Sequence, residues 1–260
     1  MSPQILAVIP ARYASTRFPG KPLAKIDGRP MVQWVYEAAR GCSAFQQVCV
    51  ATDDLRIARA VDRFGGQVEM TRADHATGTD RVAEVAARHP QADVVVNVQG
   101  DQPFVTAEIL RTLVAPFHDP PSTEGADTSD ATIVPEMATV ACPLPDELCD
   151  DPHAVKVVCD QAMNAIYFSR APIPFRRHDT RAPVFHHLGL YAFRRAFLDR
   201  FQQLEPTPLE ACEGLEQLRA IEHGYRIRVG LIERMIHEVN VPADLERANA
   251  LVAAQSREVA

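Results

Sequence analysis

The feature that most constrains the fold is an alternation of short apolar runs and helical patterns over the first half of the chain. The apolar runs at residues 5–9, 47–52 and 94–98 have the length of strands, and residues 30–39 and 55–64 carry apolar side chains at helical spacing. Strands that are apolar along their whole length have both faces covered, as in a parallel sheet between two layers of helices. We therefore predict an α/β fold with a mostly parallel, Rossmann-like sheet.

The second half of the chain has a different pattern. Apolar strands are predicted with little helix between them, and they indicate mixed or antiparallel pairing in a strand-rich insertion at roughly residues 130–200. Two helices are predicted after it, at residues 208–223 and 242–254. At 260 residues the chain fits a single domain, 1–260, that contains this insertion.

The loop after the first apolar run carries three cations, Arg12, Arg17 and Lys21, among two prolines and a glycine. It lacks the glycine patterns of dinucleotide-binding loops and of the P-loop. Arginine contacts phosphate oxygens in pairs and lysine acts on them as a point charge, so these cations could neutralise a polyphosphate. The alternative is a basic surface turn. The position directly after a buried strand favours a nucleoside triphosphate site.

A carboxylate, Asp101, follows the apolar run at residues 94–98. Carboxyl ends of parallel strands meet at one edge of a sheet, so Asp101 is expected near the first loop. Magnesium binds one or two carboxylates together with phosphate oxygens, which makes Asp101 a candidate metal ligand. A turn aspartate beside a proline is the alternative.

The segment Thr77-Gly78-Thr79 exposes amides and hydroxyls at a predicted helix start, which suits a base or a ribose. Taken alone, Thr79 is better interpreted as a helix N-cap and Arg81 as a solvated helix residue.

Composition excludes some classes of function. A net charge of −7 argues against a general nucleic-acid binder. The six cysteines form no Cys-x-x-Cys pair and are expected to be buried free thiols. No targeting segment or membrane-spanning run is evident, so we expect a cytoplasmic protein.

Seven segments resemble, in the same order, the motifs of the 3-deoxy-manno-octulosonate (KDO) cytidylyltransferase family, also called CMP-KDO synthetases. They are residues 9–23, 71–81, 97–101, 152–158, 167–174, 187–191 and 215–219. The resemblance implies a nucleotidyltransferase fold and transfer of CMP from CTP to the anomeric hydroxyl of KDO, with release of pyrophosphate, for lipopolysaccharide synthesis. It also implies magnesium as cofactor and a homodimer paired through the insertion.

The resemblance implies roles for individual residues. The catalytic residues would be Arg12, Lys21 and Asp101. Nucleotide binding would fall to Ala11, Arg12, Ser15, Arg17, Lys21, Gly78, Arg81 and Gln99. The sugar acid would contact Arg170, His187, Tyr191, Glu216 and Gln217. Without the resemblance, His187, Tyr191 and Glu216 would be interpreted as ordinary structural residues.

Three positions depart from the family pattern. Asn240 stands where the family often has the aspartate of Val-Asp-Thr-Pro-Glu-Asp-Leu, Gln102 where glutamate is frequent, and His153 where asparagine is frequent. An amide oxygen can bind magnesium but brings no charge. We therefore predict the metal ligands Asp101 and Asn240, and a second magnesium ion that binds more weakly at Asn240 or is held mainly by Asp101 and the substrates. His153 is assigned no role.

Alternative functions stay open at this point. A related sugar acid, such as 8-amino-KDO or a sialic acid, could replace KDO. Gln102 and Asn240 could mark a nucleotide-binding protein without catalysis. A dinucleotide-dependent oxidoreductase is disfavoured because no Gly-x-Gly-x-x-Gly follows the first strand.

Overall fold

The structure, a computed structural model, describes residues 2–15, 17–118, 135–178 and 182–258. The chain divides into two compact units, which we name by their sheets. The parallel-sheet unit comprises Gln4–Leu110 and Ile236–Ala260, and the mixed-sheet unit comprises Met1–Pro3 and Arg111–Met235. The prediction of one domain with an insertion at 130–200 stays a prediction, and residues 130–134 and 179–181 of that insertion lie outside the described residues.

The parallel-sheet unit alternates strands and helices as predicted. Its strands are β1 (Ile5–Pro10), β2 (Lys25–Ile26), β3 (Arg29–Pro30), β4 (Gln47–Thr52), β5 (Val68–Met70) and β6 (Val94–Asn97). Its helices begin with α1 (Met31–Arg40), α2 (Leu55–Arg63), α3 (Gly78–Ala87) and α4 (Ala107–His118), the last of which continues into the mixed-sheet unit.

The main sheet of this unit has the order β6-β1-β4-β5, and every pairing in it is parallel. The strands β1 and β6 are almost entirely buried, which explains why they are apolar along their whole length. In the register, Val8 lies opposite both Cys49 of β4 and Asn97 of β6. The loops that follow β1 and β6 therefore leave the same edge of the sheet, as predicted.

The mixed-sheet unit contains β7 (Met137–Pro143), β8 (Lys156–Cys159), β9 (Ala165–Ser169), β10 (Phe185–Arg194) and β11 (Ile227–Leu231). Its helices are α5 (Arg195–Phe201), α6 (Pro208–Glu213) and α7 (Gln217–Glu222). The strand β7 pairs antiparallel with β10 and parallel with β11, while β8 pairs antiparallel with β9 and β10. The predicted mixed pairing is confirmed.

A bulge in β10 shapes this unit. His187 pairs with Ala141 and Tyr191 pairs with Thr139, so three residues of β10 face a single residue of β7 between them. Gly189, at the centre of the bulge, has a φ of 70°, a left-handed conformation that glycine adopts without strain. The bulge brings the rings of His187 and Tyr191 to 5.5 Å between centroids, although the two residues are four apart in sequence.

The last helix, α8 (Pro242–Glu258), belongs to the parallel-sheet unit. Its residues Ala248 and Val252 form a core cluster with Val239, Ile26 and Met31. Four partly buried side chains pack on this cluster: Phe18 of the first loop, Trp34 of α1, Leu245 of α8 and Phe104 of the segment after Asp101. Packing of α8 therefore supports the segments that carry the predicted site.

Three predictions of secondary structure were wrong. The helix predicted at 208–223 is two helices, because Gly214 adopts a left-handed conformation (φ 62°) that ends α6. The helix α3 begins at Gly78 rather than Thr79, since Thr77 is its N-cap. The strand β11 and the helix α5 were not predicted.

The cysteines are free, as predicted, but only some are buried: Cys42, Cys49 and Cys142 are buried, whereas Cys212 is exposed. Burial, followed by the charge of Glu69, raises the pKa of the Cys49 thiol to about 12, which keeps it protonated and unreactive. Among the described residues no helix is both long and apolar enough to cross a bilayer.

Candidate active site

A cavity of about 230 Å³ lies in the parallel-sheet unit at the ends of β1 and β6. All the residues predicted to bind the nucleotide or to act in catalysis line it. They are Ala11, Arg12, Ser15, Arg17, Lys21, Gly78, Arg81, Gln99 and Asp101. Gly100 allows the two segments to come this close, because a Cβ at this position would lie 3.0 Å from the Pro10 carbonyl oxygen.

The first loop is held by its own backbone and by stacking. The Gly20 amide donates to the Tyr13 carbonyl at 2.9 Å, and Gly20 has a φ of 72°. The Arg56 guanidinium lies 3.3 Å from the centroid of the Tyr13 ring. Arg12 and Arg17 are exposed, and neither forms an ion pair with another described residue. Two cations of the loop thus remain able to contact an anionic ligand.

The third cation of the loop contacts the predicted metal ligand. Lys21 Nζ lies 3.0 Å from Asp101 Oδ2, and both side chains are largely buried, with 15% and 28% of their surface exposed. The pair places one positive and one negative group at the same point of the cavity. A triphosphate with a bound cation requires both, since its oxygens attract the lysine and its metal attracts the carboxylate.

A second carboxylate lies behind Asp101. Glu238 accepts hydrogen bonds from Gln102 Nε2 at 2.9 Å and from Asn240 Nδ2 at 3.2 Å. Burial, followed by the charge of Asp101, raises the pKa of Glu238. The backbone amide of Val239 donates to the Asp101 carbonyl at 2.9 Å, which joins this segment to Asp101. Sequence reasoning missed Glu238, and its only signal was its position two residues before Asn240.

The oxygen ligands in this region fit a magnesium ion. Asp101 supplies a carboxylate and Asn240 supplies an amide oxygen, which is the donor chemistry that magnesium prefers. In the part of the chain that the structure describes, no three His, Cys, Asp or Glu side chains are grouped to hold a metal ion by themselves. Magnesium at such a site would take its other ligands from phosphates and water.

The segment before α3 is fixed by a capping box. Thr77 Oγ1 accepts from the Asp80 amide at 3.1 Å, and Asp80 Oδ2 accepts from the Thr77 amide at 2.9 Å. Arg81 is buried rather than solvated, because it forms an ion pair with Asp53 at 3.0 Å and also donates to Thr71 Oγ1. The interpretation of Thr79 as N-cap and of Arg81 as a solvated residue was therefore wrong.

The predicted sugar-acid residues all lie in the mixed-sheet unit. Thr139 Oγ1 donates to the Leu190 carbonyl at 2.6 Å and lies 3.0 Å from His187 Nε2, and the Gly189 amide donates to the same histidine nitrogen at 3.3 Å. Burial, followed by the charge of His186, lowers the pKa of His187 to about 3. His187 is therefore a neutral hydrogen-bonding group at physiological pH. Sequence reasoning missed Thr139, which the bulge in β10 brings against this histidine.

Tyr191 and Gln217 are also buried and form a hydrogen bond. The Tyr191 hydroxyl donates to Gln217 Oε1 at 3.0 Å, while Gln217 Nε2 is buried without a partner among the described residues. Burial, followed by the charge of Glu216, raises the pKa of Tyr191, which stays a neutral donor. A buried donor without a hydrogen-bond partner, next to a tyrosine held by a hydrogen bond, is the arrangement expected of a site that binds a polar ligand.

Arg170 is held by Glu213, a residue that sequence reasoning also missed. Glu213 Oε2 accepts from the Arg170 amide at 2.9 Å, and the Glu213 carbonyl accepts from Arg170 Nε at 2.8 Å. Burial opposes ionisation of Glu213, but hydrogen bonds from Ser169, from the Arg170 amide and from Tyr167 lower its pKa. A charged Glu213 thus fixes the orientation of Arg170.

Comparison with known proteins places the chain in a family. The cytidylyltransferase family model matches residues 6–227. The 3-deoxy-manno-octulosonate cytidylyltransferase of Acaryochloris marina is 57% identical over 249 residues, which cover 95% of this chain and 97% of that protein. The corresponding protein of Syntrophotalea carbinolica is 48% identical over 256 residues, with 95% and 97% coverage.

A solved structure has the same fold over nearly the whole chain. The structure of CMP:2-keto-3-deoxy-manno-octonic acid synthetase complexed with CTP has a TM-score of 0.87 and 40% identity, and the match covers 97% of this chain and 99% of that one. A 4-diphosphocytidyl-2C-methyl-D-erythritol synthase from Anaerococcus prevotii, at 14% identity and a TM-score of 0.63, shares the fold alone. The chain therefore belongs to the cytidylyltransferase family and, within it, to the 3-deoxy-manno-octulosonate cytidylyltransferases.

Proposed function

We infer that this chain is a nucleotidyltransferase that transfers CMP from CTP to KDO and releases pyrophosphate. The observation that carries this inference is the single cavity at the ends of β1 and β6, where the loop cations and Asp101 come together. High identity to proteins named for this reaction supports it over nearly the whole chain. A donor of activated KDO serves lipopolysaccharide synthesis, so we propose that role and a cytoplasmic location.

The reaction forms a bond between the anomeric oxygen of the sugar acid and the α-phosphorus of CTP. The bond from the α-phosphorus to the bridging oxygen breaks, pyrophosphate leaves, and the hydroxyl proton is lost to solvent. No covalent intermediate with the protein is required. The main tasks for the protein are to position the substrates and to neutralise charge on the phosphates.

The residues of the cavity are suited to these tasks. Arg12, Arg17 and Lys21 neutralise the triphosphate and then the leaving pyrophosphate, while the hydroxyl of Ser15 adds a hydrogen bond. Ala11, whose amide donates to the Ala51 carbonyl at 2.9 Å, forms part of the nucleotide-binding wall. Gly78, Arg81 and Gln99 contact the cytidine. Asp101 and Asn240 hold magnesium. When bound, magnesium supplies Lewis-acid polarisation of phosphate and hydroxyl oxygens.

We assign the sugar acid to the residues of the mixed-sheet unit. Arg170 offers a fixed positive charge for the carboxylate, and His187, Tyr191 and Gln217 offer neutral groups for its hydroxyls. Glu216 is assigned to the same ligand. Exposed apolar side chains in this unit, Ile166 at 57% and Phe175 at 89% exposure, support a homodimer paired through the insertion.

The test is pyrophosphate release from CTP and magnesium with KDO, 8-amino-KDO and sialic acid offered separately. We expect release with KDO and none with sialic acid. Release with another acid alone would retain the nucleotidyl transfer and reassign the substrate. Tight CTP binding without release from any of the three would contradict the proposed reaction.

A further inference from the structure

Two amides of this chain converge on one carboxylate. In the family pattern that the sequence resembles, acidic residues are frequent at the positions of Gln102 and Asn240. Here each of these two amides donates a hydrogen bond to Glu238. Gln102 Nε2 contacts one carboxylate oxygen at 2.9 Å and Asn240 Nδ2 contacts the other at 3.2 Å. Glu238 therefore places one carboxyl group between the two positions that carry amides.

The chemistry of the contact fixes which end of the Asn240 amide faces away. Both oxygens of Glu238 accept a hydrogen bond, one from Gln102 and one from Asn240, so the group of Asn240 that faces Glu238 is the NH₂ end of its amide. Oδ1 of Asn240 is consequently turned away from Glu238. Only this oxygen, and not the NH₂ group, can bind a cation.

The backbone holds Asn240 in place beside Asp101. Val239 is fully buried in the core cluster with α8, and its amide donates to the Asp101 carbonyl at 2.9 Å. The amide of Asn240 donates to Asp244 Oδ2 at 2.9 Å, at the start of α8. Burial would raise the pKa of Asp244, but this hydrogen bond and that of the Val241 amide lower it. The positions of residues 238 and 240 are thus set before any ligand binds.

We propose that Glu238 is a positioning residue of the magnesium site, which holds the Asn240 amide by its NH₂ group and so leaves the amide oxygen available to the metal. The inference rests on the proposed function, since it concerns the metal of that reaction. It explains how a chain with Asn240 and Gln102 retains a magnesium site. Asp101 lines the cavity, whereas Gln102, Glu238 and Asn240 do not, and the Val239 amide joins the segment of Glu238 and Asn240 to the Asp101 carbonyl.

The test measures metal binding rather than turnover. Full-length protein is mixed with CTP and no sugar acid, and Mn²⁺ is titrated as a paramagnetic substitute for magnesium, with free Mn²⁺ followed by electron paramagnetic resonance. We expect Glu238→Gln to raise the Mn²⁺ dissociation constant about tenfold, because glutamine has one accepting oxygen and cannot accept from both the Gln102 and the Asn240 amides. CTP binding in EDTA should not change.

The rescue variant separates positioning from a structural role. A carboxylate at 240 presents oxygen at both ends and needs no orienting partner, so E238Q/N240D should return the Mn²⁺ dissociation constant to within about threefold of the unmodified protein. Glu246→Gln, an exposed position on α8, is the matched control and should have no effect. If E238Q does not fold, E238Q/N240D carries the test by itself, because it exchanges the acid and the amide between the same two positions.

The outcomes are distinct. An unchanged dissociation constant in E238Q, or a loss that Asn240→Asp does not rescue, would overturn the role of Glu238 and leave the proposed reaction intact. Absence of Mn²⁺ binding to the unmodified protein with CTP would overturn both this role and the proposed metal. Pyrophosphate release by the unmodified protein tests the reaction separately.

Discussion

The two candidate regions present their polar groups in opposite ways. In the parallel-sheet unit, Arg12 and Arg17 are exposed, and the pair between Lys21 and Asp101 is only partly buried. In the mixed-sheet unit, His187 and Tyr191 are buried and uncharged. The first region presents two exposed arginines beside a partly buried ion pair, and the second presents buried neutral groups beside the charged Arg170.

This difference matches the two ligands that we propose. A triphosphate is recognised by its charge, and the released pyrophosphate must leave, so solvated cations are sufficient and are easily exchanged for water. A sugar acid differs from its analogues in a few hydroxyls. Buried groups whose hydrogen bonds would otherwise be unmet discriminate such ligands strongly. The contrast indicates that substrate discrimination lies mainly in the mixed-sheet unit.

The largest expected effect tests the charged region. Asp101→Ala should lower kcat for pyrophosphate release by about 10²–10³-fold, because a group that stabilises charge in the transition state is removed. Lys21 loses its partner in the same variant. Turnover is measured with saturating CTP and KDO. Asp62→Ala, on the exposed side of α2, is the control and should leave kcat unchanged. If Asp101→Ala keeps more than half of the normal kcat, Asp101 is not part of the active site.

The second prediction tests the buried region. His187→Ala should raise KM for the sugar acid about tenfold or more, since a lost hydrogen bond in a buried site costs about 1–3 kcal/mol. KM for CTP should stay constant, which is the split expected if the two regions bind different substrates. His178→Ala, at an exposed position, serves as the control. An equal change in both KM values would contradict the division.

The third prediction concerns pH and stability. His187 has a pKa of about 3 in the folded chain against about 6.5 when unfolded, so only the unfolded state binds its proton between these values. The free energy of unfolding should therefore fall as pH falls through this window, by at most about 1.4 kcal/mol per pH unit from this residue, and be fully retained above it.

Urea unfolding at about pH 5 and about pH 7 measures this difference. His187→Gln should reduce the difference, because glutamine does not titrate in that range. An identical pH dependence in H187Q and the unmodified protein would show that His187 is not held neutral.

The smallest expected effect concerns the capping box at α3. Thr77→Ala should cost about 1 kcal/mol of stability, since it removes the side-chain acceptor for the Asp80 amide. Because Gly78 lines the cavity next to it, KM for CTP should also rise a few-fold. Thr106→Ala removes a similar bond to the Ile109 amide of α4 and should cost stability without any change in KM for CTP.

The charged region was accessible to sequence reasoning and the buried region much less so. Cations and a carboxylate that directly follow apolar strands mark one edge of a parallel sheet, and the structure gathers all of them in one cavity. His187 and Tyr191 lie in an apolar strand, where they resemble core residues. Their proximity depends on the bulge at Gly189, and neither its size nor its position is encoded in a local pattern.

Long-range contacts account for most of what the sequence did not reveal. Glu238 and Gln102 are hydrogen-bonded although they are 136 positions apart in the sequence, and Glu213 and Arg170 although they are 43 positions apart. No periodicity in the sequence predicts either pair. The break at Gly214 was missed because apolar residues continue at helical spacing on both sides of it. In each case the structure depends on tertiary packing, which local sequence propensity does not specify.

The close approach of Gly100 to Pro10 has a consequence for how this site can change over time. The contact is made by the backbone of one segment against the carbonyl of the other, with no side chain between them. The spacing between the first loop and Asp101 is therefore independent of which side chains the neighbouring positions carry. Acids and amides can replace each other at positions such as 102 and 240 while the distance between the lysine and the aspartate is inherited unchanged.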